Sequence, residues 1–262
     1  MTNFGHIHLH IADAIATVVI DNPSKRNALD STMRAELLRV LQQIDSDSSV
    51  RVIRITGEGD AFCAGGDLNY LQELKQNEDA ESFNRLLDDG RQITELLRKT
   101  SKPTIAAVNG PALAAGFFIA LACDIRVCSA SASFGVPLVK IGLGPDWGCT
   151  YWLPRIVGTG KAMEMLLTGE SVNGDEAVRI GLASRVWPDA ELQSRSLNLC
   201  RQLASYPTHL LARLKHAVHA SATGTEIEVA DLERRLQLDN FRSSDLTEGI
   251  AAFFERRPPN FP

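Results

Sequence analysis

The chain has 262 residues, 44% of them hydrophobic and 23% charged, with a formal net charge of −5. That is enough for one large α/β domain with a self-sufficient core, in an ordinary soluble composition. The acidic balance argues against nucleic acid, whose phosphates call for a basic face, and no apolar run is long enough for a membrane span.

Met1-Thr2-Asn3-Phe4-Gly5-His6 carries no basic region followed by a long apolar run, so no secretory leader is expected. The cysteines, Cys63, Cys123, Cys128, Cys149 and Cys200, are odd in number and form no CxxC pair. Reduced, buried thiols and a cytoplasmic location are the expectation. Cys63 has no neighbouring base to make it a nucleophile.

His6-Ile7-His8-Leu9-His10-Ile11 alternates as a half-buried strand, Asp13-Ala14 turns it, and residues 16–20 pair back as a hairpin. The three histidines share one face. A metal is one reading. An exposed strand face is the preferred one, because no carboxylate or cysteine accompanies them in sequence. Residues 21–28 form a polar loop with the basic pair Lys25-Arg26. A helix follows, capped by Asp30 or Ser31, with an apolar stripe of Met33, Leu37, Val40, Leu41 and Ile44.

A strand over 50–56 then runs into the small-residue turn Ala61-Phe62-Cys63-Ala64-Gly65-Gly66-Asp67, and Leu68 opens a helix that Asn77-Glu78-Asp79 breaks. A second, longer amphipathic helix carries Phe83, Leu86, Leu87, Ile93, Leu96 and Leu97. The pattern then repeats: strand 104–108, small-residue turn Asn109-Gly110-Pro111-Ala112-Leu113-Ala114, helix 115–122. Strands over 123–128 and 132–136 come next. Beyond residue 146 the chain reads as helical, with segments at 147–156, 161–167, 175–180, 191–204, 208–220, 226–238 and 244–256. Recurrent strand, strand and helix without sequence repeats suggests stacked turns of a spiral rather than a doubly wound sheet. The last helices carry apolar stripes (Leu232, Leu236, Leu238; Leu246, Ile250, Phe253, Phe254) that fit either packing on the same chain or a subunit interface.

Strand, small-residue turn and helix, used twice, aims two sets of free N–H groups outward at positive helix ends. Converging on one point, they would form an oxyanion hole, and small residues let an acyl group approach the backbone. Either turn can also be read as a tight connection.

With both turns in hand, the sequence resembles the crotonase family of enoyl-CoA hydratases, enoyl-CoA isomerases and relatives. The resemblance runs from about residue 15 onward. It rests on Asn22-Pro23 with Asn27-Ala28-Leu29, residues 61–68, Lys102-Pro103 through Asn109-Gly110, Ala122-Cys123-Asp124-Ile125-Arg126, Phe134-Gly135-Val136-Pro137, and Gly169-Glu170 with Gly181-Leu182-Ala183. The resemblance implies an α/β spiral of ββα units over residues 1–200. It also implies a C-terminal helical oligomerisation region over 201–262 that makes a homotrimer or a dimer of trimers. It implies an acyl-CoA thioester as substrate, coenzyme A being part of that substrate, with no separate cofactor, metal, nucleic acid or membrane partner. The implied oxyanion donors are Gly66 and Ala115, where the family usually has glycine at the second position. The loop Lys25, Arg26, Asn27 and Ala28 and the backbone at Ala64 and Leu68 match the family's adenine and phosphate contacts, Asp67 and Leu113 are further substrate-binding candidates, and Phe254 and Arg256 fall where a neighbouring subunit can reach the coenzyme.

The sequence departs from the hydratases in one respect. Their two water-holding glutamates align with Phe118 and Leu138, which cannot exchange protons. Asp146 in Pro145-Asp146-Trp147-Gly148 stands where an isomerase subset keeps its carboxylate, and residues 141–146 and 152–158 look closest to the phenylacetate-route ring isomerase. The expected activity is therefore double-bond migration through an enolate, with Asp146 as base and acid in a pocket walled by Phe118, Leu138 and Trp147. The other readings are a single-carboxylate hydratase or lyase, a dehalogenase-like nucleophilic Asp146, a non-catalytic acyl-CoA- or RNA-binding protein, and, for Asp146 itself, a helix N-cap.

Overall fold

Alternation at the N-terminal end produces a hairpin, and apolar runs after it produce buried parallel strands. The computed structural model describes residues 2–261. Strand β1 (Thr2–Phe4) pairs antiparallel with β2 (Ile7–Ala12), and β2 with β3 (Ile15–Ile20). Helix α1 (Ser31–Ser46), N-capped by Asp30, carries the chain to β4 (Val52–Gly57), parallel to β3. Helices α2 (Leu68–Gln76) and α3 (Ala80–Lys99) return it to β5 (Thr104–Val108). The short β6 (Pro111–Leu113) and α4 (Ala115–Ala122) precede β7 (Ile125–Ser129), parallel to β5.

A second layer grows beside this sheet. β6 pairs with β8 (Ser133–Gly135), which pairs with β9 (Val172–Asn173), and single bridges Leu29↔Gly66 and Cys63↔Ala112 extend the pattern to the earlier turns. Between β8 and β9 lie a 3₁₀ turn (Pro137–Ile141), α5 (Cys149–Val157) and α6 (Thr159–Thr168). Helix α7 (Gly174–Arg179) leads to β10 (Arg185–Trp187), which closes the main sheet in the order β1-β2-β3-β4-β5-β7-β10. The result is the α/β spiral of ββα units that the sequence implied, with a helical C-terminal region: α8 (Asp189–Ala204), α9 (Thr208–Ser221), α10 (Glu226–Phe241) and α11 (Ser244–Glu255).

The core lies between the two layers and under α1, α3 and α4, the last buried on every side. Helix α8 covers the opposite face of the sheet, packing Leu192 and Cys200 against Ile15, Val52, Ile105 and Val127. Lys215 of α9 reaches back to the carbonyls of Leu97 and Lys102 and to Asp124. Helices α9 and α10 bury no residue fully, and Phe253 and Phe254 are each 78% exposed. The apolar stripes of the last helices are thus left partly uncovered by their own chain: Leu238, Leu246, Ile250, Phe253 and Phe254 are exposed, while Leu232 and Leu236 are half-buried.

Candidate active site

The two small-residue turns lie against each other, and glycine is what permits it. Gly65 has φ +109, and a β-carbon there would stand 3.1 Å from both the Ala114 β-carbon and the Leu113 carbonyl oxygen. A β-carbon on Gly116 would stand 2.2 Å from the carbonyl oxygen of Cys63. The Leu113 N–H donates to that same carbonyl at 3.0 Å, so the second turn is sewn to the first. Ala114, the residue before α4, adopts φ 45, a strained conformation for a residue with a β-carbon. It leads directly into α4, whose first residue is Ala115. The bridge to Leu29 uses the Gly65 carbonyl and the Asp67 N–H. Among the described residues no acceptor is recorded for the N–H of Gly66 or of Ala115. Two unpaired donors therefore flank one junction, one of them at a helix N-terminus.

The loop 23–28 is held to the same junction. Ala64 N–H donates to the Arg26 carbonyl, and Lys25 Nζ lies 2.5 Å from Asp67 Oδ2. Asp67 also caps α2 through the Asn69 N–H, and its carboxyl is held below the ordinary range first by the Lys25 hydrogen bond. Asn27, 0% exposed, accepts from the Asn22 N–H through Oδ1 and donates through Nδ2 to the Glu58 and Ala61 carbonyls. The side chains of Asn27 and Asp67 are thus engaged in shaping the loop. Arg26 and Asn27, at φ 50 and φ 60, fold that loop back on the turn, and Leu68 projects at its mouth, 60% exposed. A cleft of about 790 Å³ opens there, lined by Leu68, Leu71, Leu74, Phe83, Ile141 and Leu143.

Asp146 is not a helix cap. Helix α5 starts at Cys149 after Gly148 and has no side-chain cap. The Asp146 carboxyl is half-buried, and burial pushes it up to about 6, against the smaller opposing pull of its own N–H and of Arg34. Trp147 follows at φ 49, buried, its ring 5.9 Å from that of Phe118 in α4 and edge-on to it. Leu138 sits in the 3₁₀ turn, packed against the main core. Thr94 of α3 donates to the Trp147 carbonyl. The indole occupies the space over Gly90, where a β-carbon would lie 1.6 Å from Cε2. Gly90→Ala is accordingly expected to lose about 1–3 kcal/mol through overpacking, read by denaturant unfolding, and to lower turnover by displacing the residue beside Asp146.

Two charged residues here escaped sequence reading. Arg34, 2% exposed, lies under Gly66 with Nη2 2.9 Å from where a β-carbon would stand, and its charge is felt at Cys63 and Asp146. Asp89 shares the inward stripe of α3 with Leu86 and Ile93, and burial raises its carboxyl while Arg34 opposes that rise. The available signal was position: Arg34 falls beside Met33 and three residues before Leu37, inside an apolar stripe. Cys63 is buried, its thiol pushed up to about 12, which disfavours a nucleophile. His8 pairs with Asp21 at 2.6 Å, a carboxylate the sequence had not placed there, yet among the described residues no group of three or more His, Cys, Asp or Glu is gathered for a metal. No described helix is long and apolar enough to cross a membrane.

The profile described as enoyl-CoA hydratase/isomerase matches residues 10–262. The chain is 38% identical over 220 residues to 4-chlorobenzoyl coenzyme A dehalogenase-2 of Arthrobacter sp, covering 84% of this chain and 80% of the relative. It is 34% identical over 253 residues to the 1,2-epoxyphenylacetyl-CoA isomerase of Escherichia coli K12, covering 96% of each. It superposes on the crystal structure of an enoyl-CoA hydratase from Polaromonas sp. JS666 with a TM-score of 0.94 at 31% identity, over 98% of this chain and 100% of that one. Dehalogenase, isomerase and hydratase thus share this scaffold, and what they have in common is a coenzyme A thioester. The chain belongs to the enoyl-CoA hydratase/isomerase (crotonase) family and carries that family's thioester chemistry.

Proposed function

We propose that the protein moves a double bond along the acyl chain of a coenzyme A thioester. The thioester oxygen sits between the N–H groups of Gly66 and Ala115, which stabilise the enolate formed when a proton leaves carbon. Asp146 takes that proton and returns it further along the chain, one group acting as base and then acid. The pocket of Phe118, Leu138 and Trp147 keeps water from the intermediate. The loop Lys25–Ala28, with Ala64 and Leu68, faces the coenzyme. The observation that carries this reading is the pairing of a half-buried carboxylate near pKa 6 with apolar residues at both positions where the family's hydratases keep glutamates. The uncovered stripes of α10 and α11 support a homotrimer or a dimer of trimers, with residues 1–200 as the binding core and 201–262 as the assembling region.

Hydratase names outnumber isomerase names among the similar proteins, which favours hydration as the second reading. One pair of assays separates them. With purified enzyme, conversion of a 3-enoyl-CoA to its 2-enoyl isomer is expected to exceed water addition to crotonyl-CoA. Faster hydration than isomerisation makes the protein a hydratase. An acyl-enzyme mass trapped on Asp146 would instead assign it the nucleophilic role.

A further inference from the structure

Arg34 is a cation with nothing to hold. Its Nε and Nη1 are buried and unpaired, and among the described residues its side chain makes no hydrogen bond and no ion pair. Such groups are uncommon, because removing a guanidinium from water without replacing its partners is costly. Two acids, Asp146 and Asp89, feel its charge without pairing with it. Asp30, which also feels that charge, spends its carboxylate on capping α1 at the Met33 N–H. Nη2 fills the space where Gly66 lacks a side chain, so the guanidinium stands beside the backbone proposed to hold the thioester oxygen.

We infer that Arg34 is a specificity-determining residue whose guanidinium binds a carboxylate on the acyl group, within a few bonds of the thioester. The inference rests on the thioester reading of the same junction and adds the class of acyl group. A planar fork of N–H donors matches a carboxylate, and a charge left unpaired in the free protein gains most from an anionic partner. A hydrocarbon chain leaves those donors unpaired, so the site discriminates against it.

The test is equilibrium binding of saturated acyl-CoAs, which undergo no double-bond migration. Succinyl-CoA is compared with butyryl-CoA, and glutaryl-CoA with valeryl-CoA, on wild type and on Arg34→Met. Wild type is expected to favour the carboxylate member of at least one pair by about tenfold or more. Arg34→Met is expected to lose that preference and to bind the hydrocarbon members as wild type does. Its melting temperature should be unchanged or raised, since an apolar side chain replaces an unpaired cation. Equal affinity within both pairs on wild type overturns the inference while leaving the thioester site intact. Loss of folding in Arg34→Met, with no carboxylate preference on wild type, assigns Arg34 a structural role and overturns it too. Failure of every acyl-CoA to bind sinks both the inference and the reading beneath it.

Discussion

Asp146→Asn is expected to lower turnover of an unsaturated acyl-CoA by about 100- to 10,000-fold, the range for removing a general acid–base group. Binding of a saturated acyl-CoA should be intact, because the Gly66 and Ala115 donors and the 23–28 loop are untouched. In wild type the rate should climb as pH rises through about 6, where the carboxyl loses its proton and becomes a base, and then level off. Stability should move the other way from activity. The carboxyl has a folded-state pKa of about 6 and an unfolded value of roughly 3.9. Between those values the folded state binds more protons. Folding is therefore penalised increasingly as pH rises from about 4 to 6, and the full penalty persists above that. At 1.36 kcal/mol per unit the penalty is about 3 kcal/mol. Asn has no charge to desolvate, so the variant should unfold at a higher temperature than wild type at pH 7.5, with the gap closing near pH 4. Turnover that survives the substitution, with the pH profile unchanged, removes Asp146 from the chemistry.

Such an opposition of stability and activity, once measured, would mark a residue kept for what it does rather than for what it holds together. The same physical signature is visible around it. Trp147 is a bulky residue at positive φ, Ala114 is another non-glycine residue forced there, and Arg34 is a buried cation without a partner. Each is a local cost: Ala114 and Arg34 lie against the first turn at Gly65 and Gly66, and Trp147 packs on Phe118 of α4, the helix that the second turn opens.

How much of this could be read from residues alone varies with the kind of signal. Strand β5 and helix α4 begin and end where their apolar runs do, because a continuous buried run leaves little choice of boundary. The segment from Cys123 reads in the sequence as a strand from its first residue. Instead β7 starts at Ile125, since Asp124 is occupied by the Thr104 N–H and hydroxyl and by Lys215. The two- and three-residue strands β6, β9 and β10 have no room for an alternating pattern, and their pairing is decided by neighbours distant in sequence. The turns, Asp146 and Phe118 stand out in the sequence because their residue types are unusual for their places. Arg34 and Asp89 do not, because a single charge in an apolar stripe reads as a solvated edge until the facing helix is known.

Gly116→Ala carries the second large effect, and it tests the junction itself. The added β-carbon would meet the Cys63 carbonyl oxygen at 2.2 Å, the Cys63 β-carbon at 2.7 Å and its carbonyl carbon at 2.9 Å. Two of these atoms are backbone, fixed by the Cys63↔Ala112 bridge and the bond from the Leu113 N–H, so they cannot swing aside as a side-chain tip would. The start of α4 must move away, and Ala115 moves with it. Its N–H then no longer points to the place that Gly66 serves. Misaiming one oxyanion donor costs about 100- to 1,000-fold in turnover, and the overpacking costs about 1–3 kcal/mol of stability. Ala115→Gly is the matched control, because it keeps the N–H, removes a methyl and should leave turnover within a few-fold of wild type. Steady-state turnover, together with thermal unfolding of both variants, separates a fold that has loosened from a hole that has opened. If Gly116→Ala folds with an ordinary melting curve and turns over normally, the paired N–H groups of Gly66 and Ala115 are not what steadies the enolate.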